Sequence, residues 1–202
     1  MSPRVVNKQE KREKILKAAL KVFSDRGITE FKMIDIASAA GIGKGTIYEY
    51  FSSKEDLITG CFNIFMREFG DSLTFGLDEK SNPREKIIDF FRLSFHYFSE
   101  HQEAMGALFD FWAAGIPRKH GPQLIPKIEK EYIRFQKFVS GILDDGIKQG
   151  LFKPQDTGAT ALMILALLDG LMFQALLGVI DISDKSLPEK ISNTVLEVIS
   201  SE

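Results

Sequence analysis

Lys44, Thr46, Tyr48 and Tyr50 share a short segment with two apolar residues, Ile47 and Phe51, set four apart. On a helix that spacing sends Ile47 and Phe51 into a core. It leaves the ammonium and hydroxyl groups on or near the outer side. Just before them, Ile36, Ala37 and Ala40 give another short helix a small apolar face on which a neighbour can pack closely. Gly41 permits a sharp turn and Ile42 plugs the junction. Two helices joined by a tight glycine turn, the second exposing cationic and hydroxyl groups, form a geometry that reads DNA.

Signals for other chemistry are thin. His96 and His101 are five apart and diverge on a helix, and His120 lies in a proline- and glycine-rich loop without a nearby nucleophile. There is no glycine-rich phosphate loop, no nucleophile elbow and no activated cysteine. Asp144-Asp145 fits a solvated helix face. The expectation is therefore no enzyme, no metal and no cofactor. The one cysteine, Cys61, fits a reducing cytoplasm, and MSPRVVNKQEKREK lacks the apolar stretch of a secretory signal.

Charge is unevenly placed. Residues 1–54 hold 11 Lys and Arg against 6 Asp and Glu, while the remainder holds 15 against 22. A basic head on an acidic body suits a polyanion-binding head. A chance unevenness of solvated surface charge is the alternative.

The elements that must position these residues are all helical, because 3.6-residue periodicity runs along the chain and strict alternation is absent. The first helix spans about Lys8 to Arg26, with Leu16, Ala19, Leu20 and Phe23 as its apolar stripe and Gly27 as its stop. Short helices follow over about Met33–Ala40 and Lys44–Phe51. Ser52-Ser53-Lys54-Glu55 resembles a capping box that opens a long helix through Leu57, Cys61, Phe65 and Phe69. Asn82-Pro83-Arg84-Glu85 starts another. Further helices are expected over about Pro83–Glu100, Gln102–Ala114, Pro122–Gln149, Thr157–Leu177 and Pro188–Ser200, about nine in all.

The segment from Gly27 to Leu57 resembles the signature of the tetracycline-repressor (TetR) family of regulators. That resemblance rests on Ala37, Ala40, Gly41, Gly45, Thr46, Tyr48, Tyr50, Phe51, Ser53, Lys54, Glu55 and Leu57. Ile15, Ala18-Ala19, Phe23 and Gly27 resemble the family's first helix, and Gly146…Gly150-Leu-Phe and Asp169-Gly170-Leu171 recur in its C-terminal domains. The resemblance implies a three-helix helix-turn-helix head over residues 1–53 and a larger helical body for ligand binding and dimerisation over 54–202. It assigns Lys44, Gly45, Thr46, Tyr48 and Tyr50 to the recognition surface and Lys54 to a phosphate. Lysine donates to guanine acceptors or phosphate, Thr46 can meet a phosphate or a thymine methyl, and the tyrosines can donate to backbone oxygens. Taken singly, Tyr50 also fits a half-buried core aromatic, and Gly45 a simple turn residue. The sequence departs from the pattern at three places. Lys32 stands where threonine is common, giving up a capping hydroxyl but able to reach a phosphate. Gly43 replaces a common serine. Glu49 would be repelled by phosphate unless it points sideways or accepts from cytosine.

Twelve of the 17 phenylalanines lie between Phe62 and Phe138, with Trp112. Most are accounted for by a helical core. TetR-like bodies also hold an effector pocket, for which Phe65, Phe69, Phe95, Phe109, Trp112, Tyr132 and Phe135 are the candidates, beside the polar Gln136 and Asp169. The expected partners are double-stranded operator DNA, a second copy of the chain and a small apolar or amphipathic effector. A DNA-binding accessory protein without a ligand would share the head but need no cavity. The run from Ala159 to Ile180 is long enough for a membrane span, but Asp169 at its centre and Gln174 are expensive in lipid. A buried helix also contacting a partner subunit explains it instead, so no membrane association is expected.

Overall fold

The structure, a computed structural model, describes residues 8–27, 31–77, 82–102, 104–106, 109 and 125–201. Among these it is helical without a strand. The helices are α1 (Lys8–Arg26), α2 (Met33–Ala39), α3 (Lys44–Tyr48), α4 (Lys54–Gly76), α5 (Pro83–Glu100), α6 (Ile125–Lys148), α7 (Thr157–Leu176) and α8 (Leu187–Ile199). The expected Gln102–Ala114 helix falls largely outside the described residues, of which 104–106 and 109 are helical. The all-helical class read from the periodicity is what the chain adopts.

Two boundaries differ from expectation for local reasons. Helix α3 ends at Tyr48 rather than Phe51, because Glu49 N–H donates to Thr46 O (3.1 Å) and Tyr50 N–H to Ile47 O (3.1 Å). These i→i+3 bonds tighten the last turn out of α geometry. The cap of α4 is shifted by one residue. Asp56 N–H donates to Ser53 Oγ (3.1 Å), and Ser52 N–H donates to Asp56 Oδ2 (2.9 Å), so Ser53 and Asp56 do what Ser52 and Glu55 were expected to do. At α5 the expected box is present: Asn82 Oδ1 accepts from Arg84 and Glu85 N–H, and Glu85 Oε2 accepts from Asn82 N–H.

The chain divides into two compact units, Met1–Arg67 with Glu103–Lys127, and Glu68–Gln102 with Ile128–Glu202. In the first, Ile15, Leu16, Ala19 and Phe23 of α1 are buried with Ile36 and Ala37 of α2, Ile47 of α3, and Leu57, Cys61 and Phe62 of α4. Helices α1 and α4 approach closely at Gly60, where a Cβ would lie 2.7 Å from Leu16 Cδ2. Cys61 Sγ donates to Leu16 O (3.7 Å), and burial pushes its thiol pKa up, so it is inert.

In the second unit α5 packs along α8. Phe90, Phe91 and Phe95 are buried there with Val139, Leu143, Ala161, Ile164, Leu168, Leu196 and Ile199. Gly150, in the left-handed region at φ 71°, reverses the chain after α6 and lets buried Phe152 fold back onto Gly146. Lys153 N–H to Ile199 O (3.0 Å) and Ser201 N–H to Leu151 O (3.2 Å) then fasten the end of α8 beside that loop.

Helix α7 is long and apolar enough to cross a membrane, with mean hydropathy 1.8 and a third of that stretch buried. Length and composition alone do not separate a span from a helix buried against protein.

Candidate nucleic-acid interface

In the first unit the helix-turn-helix is built from α2, a turn at Gly41 and α3. Gly41 adopts φ 68°, the left-handed conformation glycine favours, and Ile42 N–H donates across the turn to Ala37 O (2.9 Å). Ile36, Ala37 and Ala40 are buried beneath it, as are Ile47 and Phe51 below α3. The opposite row, Lys44, Gly45, Tyr48 and Glu49, faces water, with Tyr48 half exposed at 50%. Thr46 and Tyr50 are half-buried. Tyr50 has the Lys11 ammonium 6.0 Å from its ring centre, so part of it faces α1.

The caps compensate for the unusual residues. Lys32 precedes α2 with an exposed side chain, and its N–H donates to Asp35 Oδ2 (2.7 Å), so Asp35 supplies one half of a capping interaction. A lysine side chain has no acceptor with which to return it. Gly43 caps α3 with an extended backbone and no side-chain bond.

Lys54 is half-buried at the first turn of α4. Its ammonium donates to the Phe31 carbonyl and lies 4.5 Å from the Phe31 ring centre, tying α4 to the segment before α2. An ammonium carries three donors, so this bond leaves capacity for a further acceptor. Arg12 of α1 adds a second tie, 3.9 Å from Asp56 and 4.6 Å from the Phe51 ring centre. The result is a short exposed row of cation, glycine, tyrosine and carboxylate on a rigid apolar base.

The candidate pocket residues separate on folding. In the second unit an open cleft of about 190 Å³ runs between α4 and α6, lined by Gly70, Asp71, Leu73, Thr74, Arg134, Phe135 and Phe138. Phe135 lines it, and Phe69 packs on Phe135 with ring centres 5.2 Å apart. Phe69 also meets Phe98 (4.9 Å) and Tyr97 (5.3 Å), and Phe95 is core. Phe65 is buried in the first unit, where Phe109 is half-buried and helical, while Trp112 lies outside the described residues. The polar candidates bond to α7: Tyr132 to Asp169, and Gln136 Nε2 to Gly158 O (3.1 Å).

Residues 15–61 match the model of the bacterial regulatory proteins of the tetR family, and residues 83–197 match that of the C-terminal domain of BetI-type transcriptional repressors. The chain belongs to the TetR family. It is thus a transcriptional regulator and not an enzyme. It is 31% identical over 149 residues to the transcriptional repressor KstR2 of Mycolicibacterium smegmatis, covering 71% of this chain and 68% of that one. Identity is 29% over 147 residues with the fatty acid metabolism regulator protein of Bacillus subtilis, covering 72% and 73%. A solved regulator from Saccharomonospora viridis, in complex with choline, shares the fold with TM-score 0.82 at 24% identity, covering 96% of this chain and all of that one.

Sequence reasoning passed over Arg134 and Phe138 for this TetR-family chain. The signal was a stripe at i and i+4 on α6, partly hidden because arginine reads as solvated surface. Arg134 is exposed and also lies against the bare Gly70, where a Cβ would sit 2.2 Å from its Nη2. Its guanidinium pairs with Glu131 (3.1 Å) and lies 5.1 Å from the Phe135 ring centre. Among the described residues no group of three His, Cys, Asp or Glu could hold a metal ion.

Proposed function

We propose that the chain is a cytoplasmic repressor that binds a palindromic operator as a homodimer and is released by a small apolar or amphipathic molecule. Residues 1–53 make the DNA-binding part and 54–202 the effector and dimerisation part. The single observation that carries the DNA half is the exposed row of Lys44, Gly45 and Tyr48 over buried Ile47 and Phe51. Such a row fits a major groove, with Gly45 allowing close backbone approach and Lys32, Thr46, Tyr50 and Lys54 flanking it toward the phosphates.

The dimer is supported by α7 and α8. Leu162, Met163, Leu167 and Phe173 of α7 and Val198 of α8 are exposed, Met163 at 68% and Val198 at 60%. A groove of about 460 Å³ between the two helices is lined mainly by apolar side chains. A contiguous apolar surface of this kind marks an interaction site, and a two-fold partner covers it with its own copy. Two recognition helices then sit about 34–36 Å apart, one DNA turn, which predicts an inverted repeat.

Release is supported by the aromatic cleft and by relatives named for fatty acid metabolism or solved with choline. Helix α4 belongs to both units, up to Arg67 in the first and from Glu68 in the second, so it is the proposed lever. A ligand shifts the equilibrium only if it binds the non-DNA-binding conformation better.

The test is a titration of the protein with a medium-chain fatty acid and with choline, each with and without the duplex that the protein itself selects from random DNA. A coupling of about 1–3 kcal/mol weakens DNA binding roughly 5–150-fold, and DNA weakens ligand binding equally. A ligand that binds equally in both titrations is no inducer, and a protein that selects no duplex is no operator-binding regulator.

A further inference from the structure

Glu49 stands out on the recognition surface. It caps the C-terminus of α3 with a helical backbone, φ −72° and ψ −20°, so it continues the helical row. Gly45 lies one turn before it and Lys44 and Tyr48 beside that row, all exposed, while Ile47 points the other way and is buried. Glu49 therefore shares the outward face and is not turned aside. Among the described residues no lysine or arginine pairs with it.

We propose that Glu49 is a specificity-determining residue that accepts a hydrogen bond from the N4 amino group of a cytosine in the major groove of each half-site. This inference rests on the proposal that α3 reads DNA. An unpaired carboxylate on that face is repelled by every phosphate, so it weakens binding to DNA of arbitrary sequence. It gains only where a base edge offers a donor. In the major groove two bases do, adenine through N6 and cytosine through N4. Adenine sets its N7 acceptor directly beside N6, and two acceptors facing each other repel. Cytosine offers its donor with no acceptor of its own alongside, so the carboxylate selects cytosine. A Cβ at Gly45, one turn away on the same row, would meet nothing within 4 Å, so the surface beside the carboxylate is open to an approaching base edge.

The glutamine variant sharpens the test, because a carboxamide offers a donor and an acceptor and pairs with adenine N7 and N6. Wild-type protein, Glu49→Ala and Glu49→Gln are each used to select duplexes from a random pool, and each is then titrated with the wild-type site, single-base variants of it and mixed-sequence DNA. Circular dichroism confirms that the variants fold. Wild-type protein is expected to fix one cytosine per half-site, and replacing that cytosine by thymine to weaken binding roughly 5- to 150-fold. Glu49→Ala should lose discrimination at that position alone, to within about 2-fold, while binding mixed-sequence DNA more tightly. Glu49→Gln should admit adenine there. The assignment is overturned if Glu49→Ala selects the same sequence at every position and merely binds all duplexes more tightly, since Glu49 then only repels. It is equally overturned if the position that relaxes is not a cytosine. If wild-type protein selects no sequence at all, DNA reading by α3 fails and this assignment falls with it.

Discussion

Tyr132 Oη of α6 donates to Asp169 Oδ2 of α7 at 2.8 Å. Burial is the main influence on Asp169 and pushes its carboxyl above the usual range, while the bond from Tyr132 acts in the opposite direction. Burial, and then the Asp169 charge, raise the Tyr132 phenol in turn. The same two helices are also joined by Gln136 Nε2 donating to Gly158 O (3.1 Å) and Ser140 Oγ to Thr157 O (3.2 Å), and partial burial holds the Asp169 carboxylate at a cost.

That cost has a defined pH dependence. A carboxyl whose folded pKa is raised contributes stability that is fully present below the unfolded value of about 3.9 and lost as pH rises through the raised folded value. Asp169→Asn keeps an acceptor for Tyr132 and removes the charge. It should raise Tm at pH 7 and leave it unchanged near pH 4. Asp169 as a residue is exposed, so water screens the effect and the gain stays within about 2–4 °C. Thermal melts at the two pH values decide it, and a lower Tm for the variant at pH 7 would show that the charge itself is needed.

Lys44→Ala and Tyr48→Phe should both leave the fold intact, because the two side chains are exposed. If Lys44 meets a phosphate, Lys44→Ala weakens binding uniformly across sequences and reduces the slope of log K against log salt by about 1.8 for the dimer, about 0.9 for each subunit's lost contact. Tyr48→Phe removes one donor and no charge, so affinity falls while the salt slope stays. Lys54→Ala is expected to lower Tm as well as affinity, since its ammonium also holds the Phe31 carbonyl. Equal salt slopes for wild-type and Lys44→Ala proteins would place Lys44 away from the backbone.

Met163→Glu puts a charge on the exposed apolar surface of α7, beside the groove to α8. Wild-type protein should sediment at twice the 22.8 kDa chain mass, and the variant at the chain mass in the micromolar range. DNA affinity should fall with dimerisation, because a lone half-site contact loses its partner. A wild-type monomer in sedimentation would remove the dimer, and with it the inverted repeat.

Gly146→Ala tests the close contact behind the α6–α7 loop. A Cβ at Gly146 would lie 2.0 Å from Phe152 Cδ2, and Phe152 is 1% exposed, so its ring has little room to move. Overpacking of this kind costs typically 1–3 kcal/mol, which lowers Tm by about 2–4 °C for each kcal/mol. The gain of helix propensity at an alanine opposes this by about 1 kcal/mol at most. An unchanged or raised Tm would mean that the ring relocates freely.

The local chemistry of the head was legible before folding, because each part of it depends on neighbours in the chain. Gly41 turns, Ala37 and Ala40 admit a close helix, and Ile47 with Phe51 sets which side of α3 is wet; these are consequences of helical spacing and backbone conformation alone. The Asn82 cap followed from the same short-range rules. Ser53 and Asp56 missed by one residue, since adjacent serines offer two equivalent hydroxyls and only the three-dimensional path of the chain selects between them.

Which distant side chains meet was decided by tertiary structure alone. Tyr132, Gln136 and Asp169 looked in sequence like polar groups available to a ligand, yet Tyr132 and Asp169 bond each other and Gln136 bonds the Gly158 carbonyl. The family resemblance assigns Lys54 to a phosphate, and only the packed structure shows its ammonium also closing on Phe31, 23 residues away. Arg134 is exposed, and only the packed helices show that its guanidinium also lies over Gly70 in the cleft. Helical periodicity tells which way a side chain points from its own axis. It carries no information on which other helix stands there, and hydrogen bonds of about 3 Å are fixed only once both helices are packed.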